Sequence, residues 1–294
     1  MIARILQALE SSPYRRHVKA FAEACFAVAS PLLRWAPGRN RCPICGARLV
    51  CLSRPVIGDD LARDWGIDRR WRNFFDQREG QICLSCGGSL RVRQLAATVV
   101  AWLQTTGGSA STVAAACREP PLRSLQVAEI NSCGALHKAL ARLPQLAYSE
   151  YLPDDPAVRH EDMVRLSYPD DSFDLVLHSE TLEHTPDVDR ALAEIHRVLK
   201  PGGTTIFTVP IIRDRRETVV RAEERAGGTH HLRPPTYHGG ACQSTRQYLV
   251  YYEFGEDFPP RVSRAGFDVT VHEHPGNPAV VTFVARKPAS PDSG

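Results

Sequence analysis

Long hydrophobic runs are missing from this 294-residue chain. The most apolar early stretch, Ala24 to Leu33, is half of the roughly 20 residues that a membrane span needs, and Lys19, Glu23 and Arg34 flank it. It reads as one face of a helix, with a peripheral membrane helix as the alternative. The first residues also lack the basic, apolar and small-residue succession of a secretory signal. Both absences point to a cytoplasmic protein with no transmembrane segment. The G-x-G-x-x-G fingerprint of dinucleotide sites is absent too, which argues against an NAD-dependent enzyme. Net charge is small, only +3, but unevenly spread: residues 1–100 hold 16 Lys+Arg and 8 Asp+Glu, the remainder 20 and 25. Such a basic front marks a nucleic-acid or acidic-surface contact, or simply an arginine-rich composition.

Cysteine is plentiful instead. Nine of them in a reducing compartment argue against a disulfide framework and for metal binding. Cys42 and Cys45 form one C-x-x-C knuckle, Cys83 and Cys86 a second, each followed by glycine. A two-residue spacer lets two sulfurs of one tight turn reach the same ion, and zinc favours four thiolates in a tetrahedron. Gly46 and Gly87 suit the left-handed residue of such turns. Four thiolates leave no open position, so the zinc is read as structural. The competing reading is a set of reduced, buried thiols. About 37 residues separate the knuckles, more than the usual fifteen to twenty, so an insertion lies between them. Cys25, Cys51, Cys117, Cys133 and Cys242 read as core residues.

The periodicities divide the chain into a helical segment over residues 1–40, a four-cysteine zinc-ribbon-like domain over 41–90, a helix and linker over 91–120, a large domain over 121–288 and a tail over 289–294. From Pro121 onward, strand-like runs alternate with helical ones, the mark of an α/β, doubly wound and mostly parallel Rossmann-like sheet. The spacing predicts strands at Leu125 to Ile130, Leu146 to Tyr151, Phe173 to His178 and Thr204 to Val209. A closing pair is predicted at Phe267 to His272 and Val280 to Arg286, with helices at Arg91 to Gln104, Gly134 to Leu143 and Val188 to Leu199. A nucleotide-type cofactor on such a sheet lies beyond the carboxyl ends of the strands. There the first strand offers Glu129, Ile130, Asn131, Ser132, Cys133 and Gly134, the second Ser149 and Glu150, and the following segment His160, Glu161, Asp162 and Met163.

The stretch from Tyr168 to Pro210 contains Pro169-Asp170-Asp171-Ser172-Phe173-Asp174, then His178-Ser179-Glu180-Thr181-Leu182-Glu183-His184, then Leu199-Lys200-Pro201-Gly202-Gly203. It resembles the S-adenosylmethionine-dependent methyltransferases of the broad class I family typified by ubiquinone and menaquinone methyltransferases. The resemblance implies that Glu129 helps hold the methionine end of S-adenosylmethionine, Glu150 the ribose, and Asp162 with Met163 the adenine, with Gly134 in the loop that meets the cofactor. His178 and Ser179 would border the methyl group, and Glu183 and His184 would shape the loop. One departure stands out: the family's glycine-rich loop keeps only Gly134 here, with Asn131 and Cys133 at other loop positions.

The segment Gly227 to Gly240, with His230, His231, Tyr237 and His238, falls where this fold commonly builds its acceptor pocket. Histidine titrates near neutrality and suits removal of an acceptor proton, so His230, His231 and His238 are the catalytic candidates. The reading favoured is methyl transfer to an oxygen or nitrogen of a small molecule or glycan-like metabolite. Two others stay open. Trp65, Trp71, Phe74 and Phe75, interleaved with Arg69, Arg70, Arg72 and Arg78, suit an RNA methyltransferase whose zinc ribbon stacks on exposed bases, or else a helix with an apolar stripe. The glycine-poor loop suits a non-catalytic binding module.

Overall fold

The computed structural model describes residues 41–239 and 247–289. The helical segment expected before residue 41 lies outside them, as do Cys25, Cys242 and the last residues of the tail. In chain order the main elements are β1 (Cys51–Ser53), α1 (Asp59–Asp64), α2 (Arg69–Gly80), β2 (Gln81–Cys83), α3 (Leu90–Thr105), α4 (Val113–Ala116) and β3 (Val127–Ile130). Then come α5 (His137–Leu140), β4 (Leu146–Glu150), β5 (Arg159–His160), β6 (Phe173–Ser179), α6 (Val188–Val198) and β7 (Leu199–Thr208). Short strands follow, β8 (Val219–Val220), β9 (Ala222–Arg225), β10 (Gly228–His231), β11 (Tyr237–Gly239), β12 (Gln247–Leu249) and β13 (Tyr252–Glu253), before α7 (Phe258–Arg264), β14 (Asp268–His274) and β15 (Asn277–Arg286).

Seven strands form one sheet in the order β14-β15-β7-β6-β3-β4-β5. Pairings from β5 through β7 are parallel, whereas β15 runs antiparallel to both β7 and β14. The order reverses between β3 and β6, which makes their carboxyl ends the switch-point crevice where ligands of such sheets bind. The doubly wound α/β expectation holds, with every expected strand present within a few residues.

Alternation along β6 sends Leu175 and Leu177 to one face and Val176 and His178 to the other. The first face meets Val92, Leu95, Ala96 and Val99 of α3, so the segment expected as a linking helix is a covering layer of the sheet. Ser89 caps α3 by accepting the Val92 N–H at 3.3 Å, and the helix ends near the Gly107-Gly108 joint. The second face is covered by α6 and α7. In α6, Val188, Ala191, Leu192, Ile195 and Val198 fall on one stripe and are all fully buried, and Asp187 caps its start through the Arg190 N–H. The chain then turns straight into β7. A Cβ at Gly203 would stand 2.8 Å from the Lys200 carbonyl and 3.0 Å from that of Phe173, so this tight turn requires glycine.

The insertion between the cysteine knuckles folds as α1 and α2. Trp65, Trp71 and Phe75 are buried against Ile57, Ile212 and Ala279, and Asn277 donates to the Phe74 carbonyl at 2.9 Å. These aromatics pin the insertion to the start of β15. Burial removes them as stacking platforms for bases, and with them the main support for the RNA reading. No helix among the described residues is long and apolar enough to cross a membrane.

Candidate functional site

Three groups of polar side chains gather on the carboxyl edge of the sheet or against its loops. The first surrounds the turn after β3. Glu129 is fully buried; its Oε1 accepts the Cys133 N–H at 2.8 Å and its Oε2 lies 2.7 Å from His137 Nδ1. That contact raises the His137 pKa above its ordinary value, against the opposing effect of partial burial. Glu150, at the end of β4, accepts the Ser132 N–H at 3.1 Å and the Tyr148 hydroxyl on Oε1. The missing glycine finds an account here: Asn131 sits at φ +57° and Gly134 at φ +63°. Asparagine is among the few side chains that tolerate the left-handed region, and Asn131 is locked by accepting the Tyr151 N–H at 2.8 Å. The turn thus places two left-handed residues with only one glycine.

A charged clamp forms the second group. Arg78 of α2, 1% exposed, donates twice to Glu180, at 2.6 and 2.9 Å, and to the carbonyls of Ala279 and Val209 at 2.8 and 3.2 Å, with Glu79 beside it. Arg91 of α3 donates to Glu79 at 2.7 and 3.0 Å and to Ser179. Thr208 donates to Glu180 at 3.1 Å and shares a 2.7 Å hydrogen bond with Ser179. Burial disfavours ionised Glu180, yet Arg78 and Arg91 hold its carboxyl below the ordinary value. Glu180 also has a left-handed backbone, φ +54°, a conformation costly for a side chain of its length.

Immediately after it comes the third group. Glu183 is fully buried and neither carboxylate oxygen has a hydrogen-bond partner; burial, and then the neighbouring Glu180, push its pKa well up. His184 hydrogen-bonds the Leu249 carbonyl through Nδ1 at 2.9 Å, and its Nε2 lies 3.7 Å from Glu183 Oε1. The His238 ring stands 4.5 Å from that of His184, centroid to centroid, and 5.9 Å from Trp65. Loss of solvent around the ring lowers the His238 pKa to about 3. Its Nε2 is buried without a partner.

The four knuckle sulfurs converge. Cys42, Cys45, Cys83 and Cys86 place their Sγ atoms all within 4.8 Å of one another, and Gly46 and Gly87 take φ +78° and +77° as the knuckle geometry asks. Hydrogen bonds from Cys42 and Cys86 lower the Cys83 pKa, while the contact with Cys83 pushes Cys42 up to about 11. The knuckles pack against the segment that follows the β3 turn: a Cβ at Gly88 would meet Ile44 Cδ1 at 2.5 Å, Cys86 Sγ at 3.4 Å and Ala135 Cβ at 3.6 Å.

Of the residues singled out in the sequence, Glu129, Gly134 and Glu150 share one turn. Asp162 is half-buried and accepts the Val164 N–H at 3.0 Å, whereas Met163 is 3% exposed within the core. His178 is turned into that core, stacked on Phe207 at 4.5 Å, and burial lowers its pKa to about 3. Ser179 faces the clamp. His230 and His231 lie exposed on the β9–β10 hairpin, apart from half-buried His238. Sequence reasoning missed Arg78, Glu79, Arg91 and Glu180 as a unit. The available signal was two arginines, Arg91 and Arg93, inside an otherwise apolar helix.

Residues 83–207 match the family model described as a methyltransferase domain. The chain is 30% identical over 139 residues to methyltransferase GfsG of Streptomyces halstedii, covering 45% of this chain and 44% of that protein. It is 33% identical over 87 residues to 27-O-demethylrifamycin SV methyltransferase of Amycolatopsis mediterranei, covering 29% and 32%. The chain thus spans less than half the length of these relatives. Among solved structures it is similar to an S-adenosylmethionine-dependent methyltransferase from Mesorhizobium loti, at TM-score 0.36 and 18% identity, covering 59% of this chain and 99% of that one. The family match, from Cys83 to Phe207, spans the parallel part of the sheet from the second knuckle to β7, including the switch point between β3 and β6.

Proposed function

We propose that the protein transfers the methyl group of S-adenosylmethionine to an oxygen or nitrogen of a small molecule. The observation that carries this reading is the pairing of Glu129 and Glu150 around the Asn131–Gly134 turn at the switch point. The donor set suits the cofactor: Glu150 has one oxygen committed to Ser132 and Tyr148, which leaves the other for a ribose hydroxyl. Glu129 braces the turn that would meet the methionine end, and Asp162 and Met163 remain the candidates for the adenine. When bound, the sulfonium supplies an activated methyl carbon, and the protein's share of the work is alignment and removal of any acceptor proton. Ser179 and Glu180, at the end of β6, would set the floor of the acceptor side. Of the three candidate histidines, His238 suits a role there best, because its ring lies against His184 of the β6 loop. The name of the rifamycin relative, an O-methyltransferase of a small molecule, supports that acceptor class. Zinc on Cys42, Cys45, Cys83 and Cys86 would brace the turn from behind through Ile44 and Gly88.

Calorimetric titration with S-adenosylhomocysteine tests the reading. Micromolar binding by the intact protein, weakened in Glu150→Ala, is expected. Absence of binding by folded, metal-loaded protein would favour the non-catalytic module instead.

A further inference from the structure

We infer that Glu183, His184 and His238 form a second metal site, separate from the cysteine knuckles, for a borderline divalent cation of the zinc type. One ligand atom from each of the three lies within 4.8 Å of the others. A buried carboxylate with no hydrogen bond to either oxygen is a costly arrangement. Here Glu183 is 0% exposed and both oxygens are orphaned, and the buried His238 Nε2 beside the same group is orphaned as well. A cation satisfies all of these atoms at once.

The orientation of His184 supports this assignment. Metal-bound histidines usually donate their other ring N–H to a carbonyl or carboxylate, which fixes the tautomer and aims the lone pair. His184 donates Nδ1–H to the Leu249 carbonyl at 2.9 Å, so its Nε2 lone pair is directed to the side where Glu183 Oε1 stands 3.7 Å away. Two imidazoles and a carboxylate match the donor set of zinc sites that keep an open position, in contrast to the closed four-thiolate set. The guanidiniums of Arg78 and Arg91 are the nearest alternative counter-charges, but Glu79, Glu180 and Ser179 already occupy them. Should the methyltransferase reading hold, that open position would take an acceptor oxygen and make it more acidic; the metal site itself does not depend on that reading.

Metal content decides the matter. The full chain is stripped with chelator, reloaded with Zn2+, desalted and analysed for zinc per chain, alongside His184→Ala/His238→Ala and Glu183→Gln. The double variant is expected to hold one zinc fewer than the parent, whatever the knuckles retain, with an unchanged circular dichroism spectrum. In Glu183→Gln, which keeps the side-chain volume, zinc affinity at the weaker site should fall at least about tenfold, on the scale seen when metal-site partners are lost. Reloading with Co2+ should add, to the thiolate charge-transfer bands of the knuckles, weaker visible bands that the histidine variants lack. Equal zinc content in parent and Glu183→Gln, with only thiolate bands from cobalt, would overturn the site even if the double variant failed to fold.

Discussion

Two polar clusters stand side by side on the carboxyl edge of this sheet, and they differ in one respect. In the Arg78-Glu79-Arg91-Glu180 clamp each charged group meets partners of opposite charge, and backbone carbonyls take the remaining guanidinium hydrogens of Arg78. In the Glu183-His184-His238 group His184 Nδ1 has its hydrogen bond, but the carboxylate has none and neither has His238 Nε2. A saturated cluster holds elements together and has nothing left to bind. An unsaturated one sustains its cost of burial only if something else completes it. The contrast separates a mechanical role from a binding role within a stretch of four residues, Glu180 to Glu183.

The comparison is open to experiment from several sides. The largest effect should come from chelating the zinc proposed for the knuckles, since structural zinc contributes directly to folding; loss of several kcal/mol, read as a collapse of the thermal transition, is expected, and Cys83→Ser should behave alike. Arg78→Ala breaks the saturated cluster and leaves Glu180 buried without its main partner, so unfolding in denaturant should show a loss of about 3–5 kcal/mol. Glu183→Gln, in the unsaturated cluster, should cost metal-free protein little stability, and an equal loss in both variants would erase the distinction drawn above. Glu150→Ala should weaken S-adenosylhomocysteine binding about ten- to a hundredfold, the range of a charged hydrogen bond, with the melting temperature nearly unchanged.

A smaller effect is expected at His137. Its pKa is raised through Glu129, so the stabilisation from this pair is complete below the unfolded value of about 6.5 and is lost as pH rises through the folded value. In His137→Gln that decline above pH ~6.5 should disappear from a pH series of melting curves. A decline of the same size in the variant would remove His137 from the account.

Local chemistry was readable in the sequence and long-range pairing was not. The strands from Val127 to Thr208 announce themselves by short apolar runs, and Lys200 to Gly203 by a turn that only glycine fits. Both knuckles were visible because each is a four-residue motif. The clamp was hidden because Arg78 and Glu180 stand 102 residues apart, and no spacing rule joins a helix in a cysteine-bracketed insertion to a strand end. His178 shows a different kind of miss. The expectation put it beside the methyl group with Ser179, but consecutive strand residues face opposite sides, and pairing of His178 with Phe207 sends the histidine into the core and Ser179 to the clamp. Asn131 shows the reverse: it takes the left-handed backbone, φ +57°, that a sequence reading would reserve for glycine.

The Gly- and Ser-rich joint from Thr105 to Ser111 looks, on paper, like a place to cut. Helix α3 makes it a poor one. A fragment beginning at residue 112 would keep every strand of the sheet and yet lay bare the face formed by Val127, Leu175, Leu177, Ile206 and Val284, which α3 covers. Such a fragment should be sticky and prone to self-association, so the smallest piece worth expressing begins before the first knuckle. The boundary that composition draws and the boundary at which the polypeptide closes on itself are, in this molecule, some seventy residues apart.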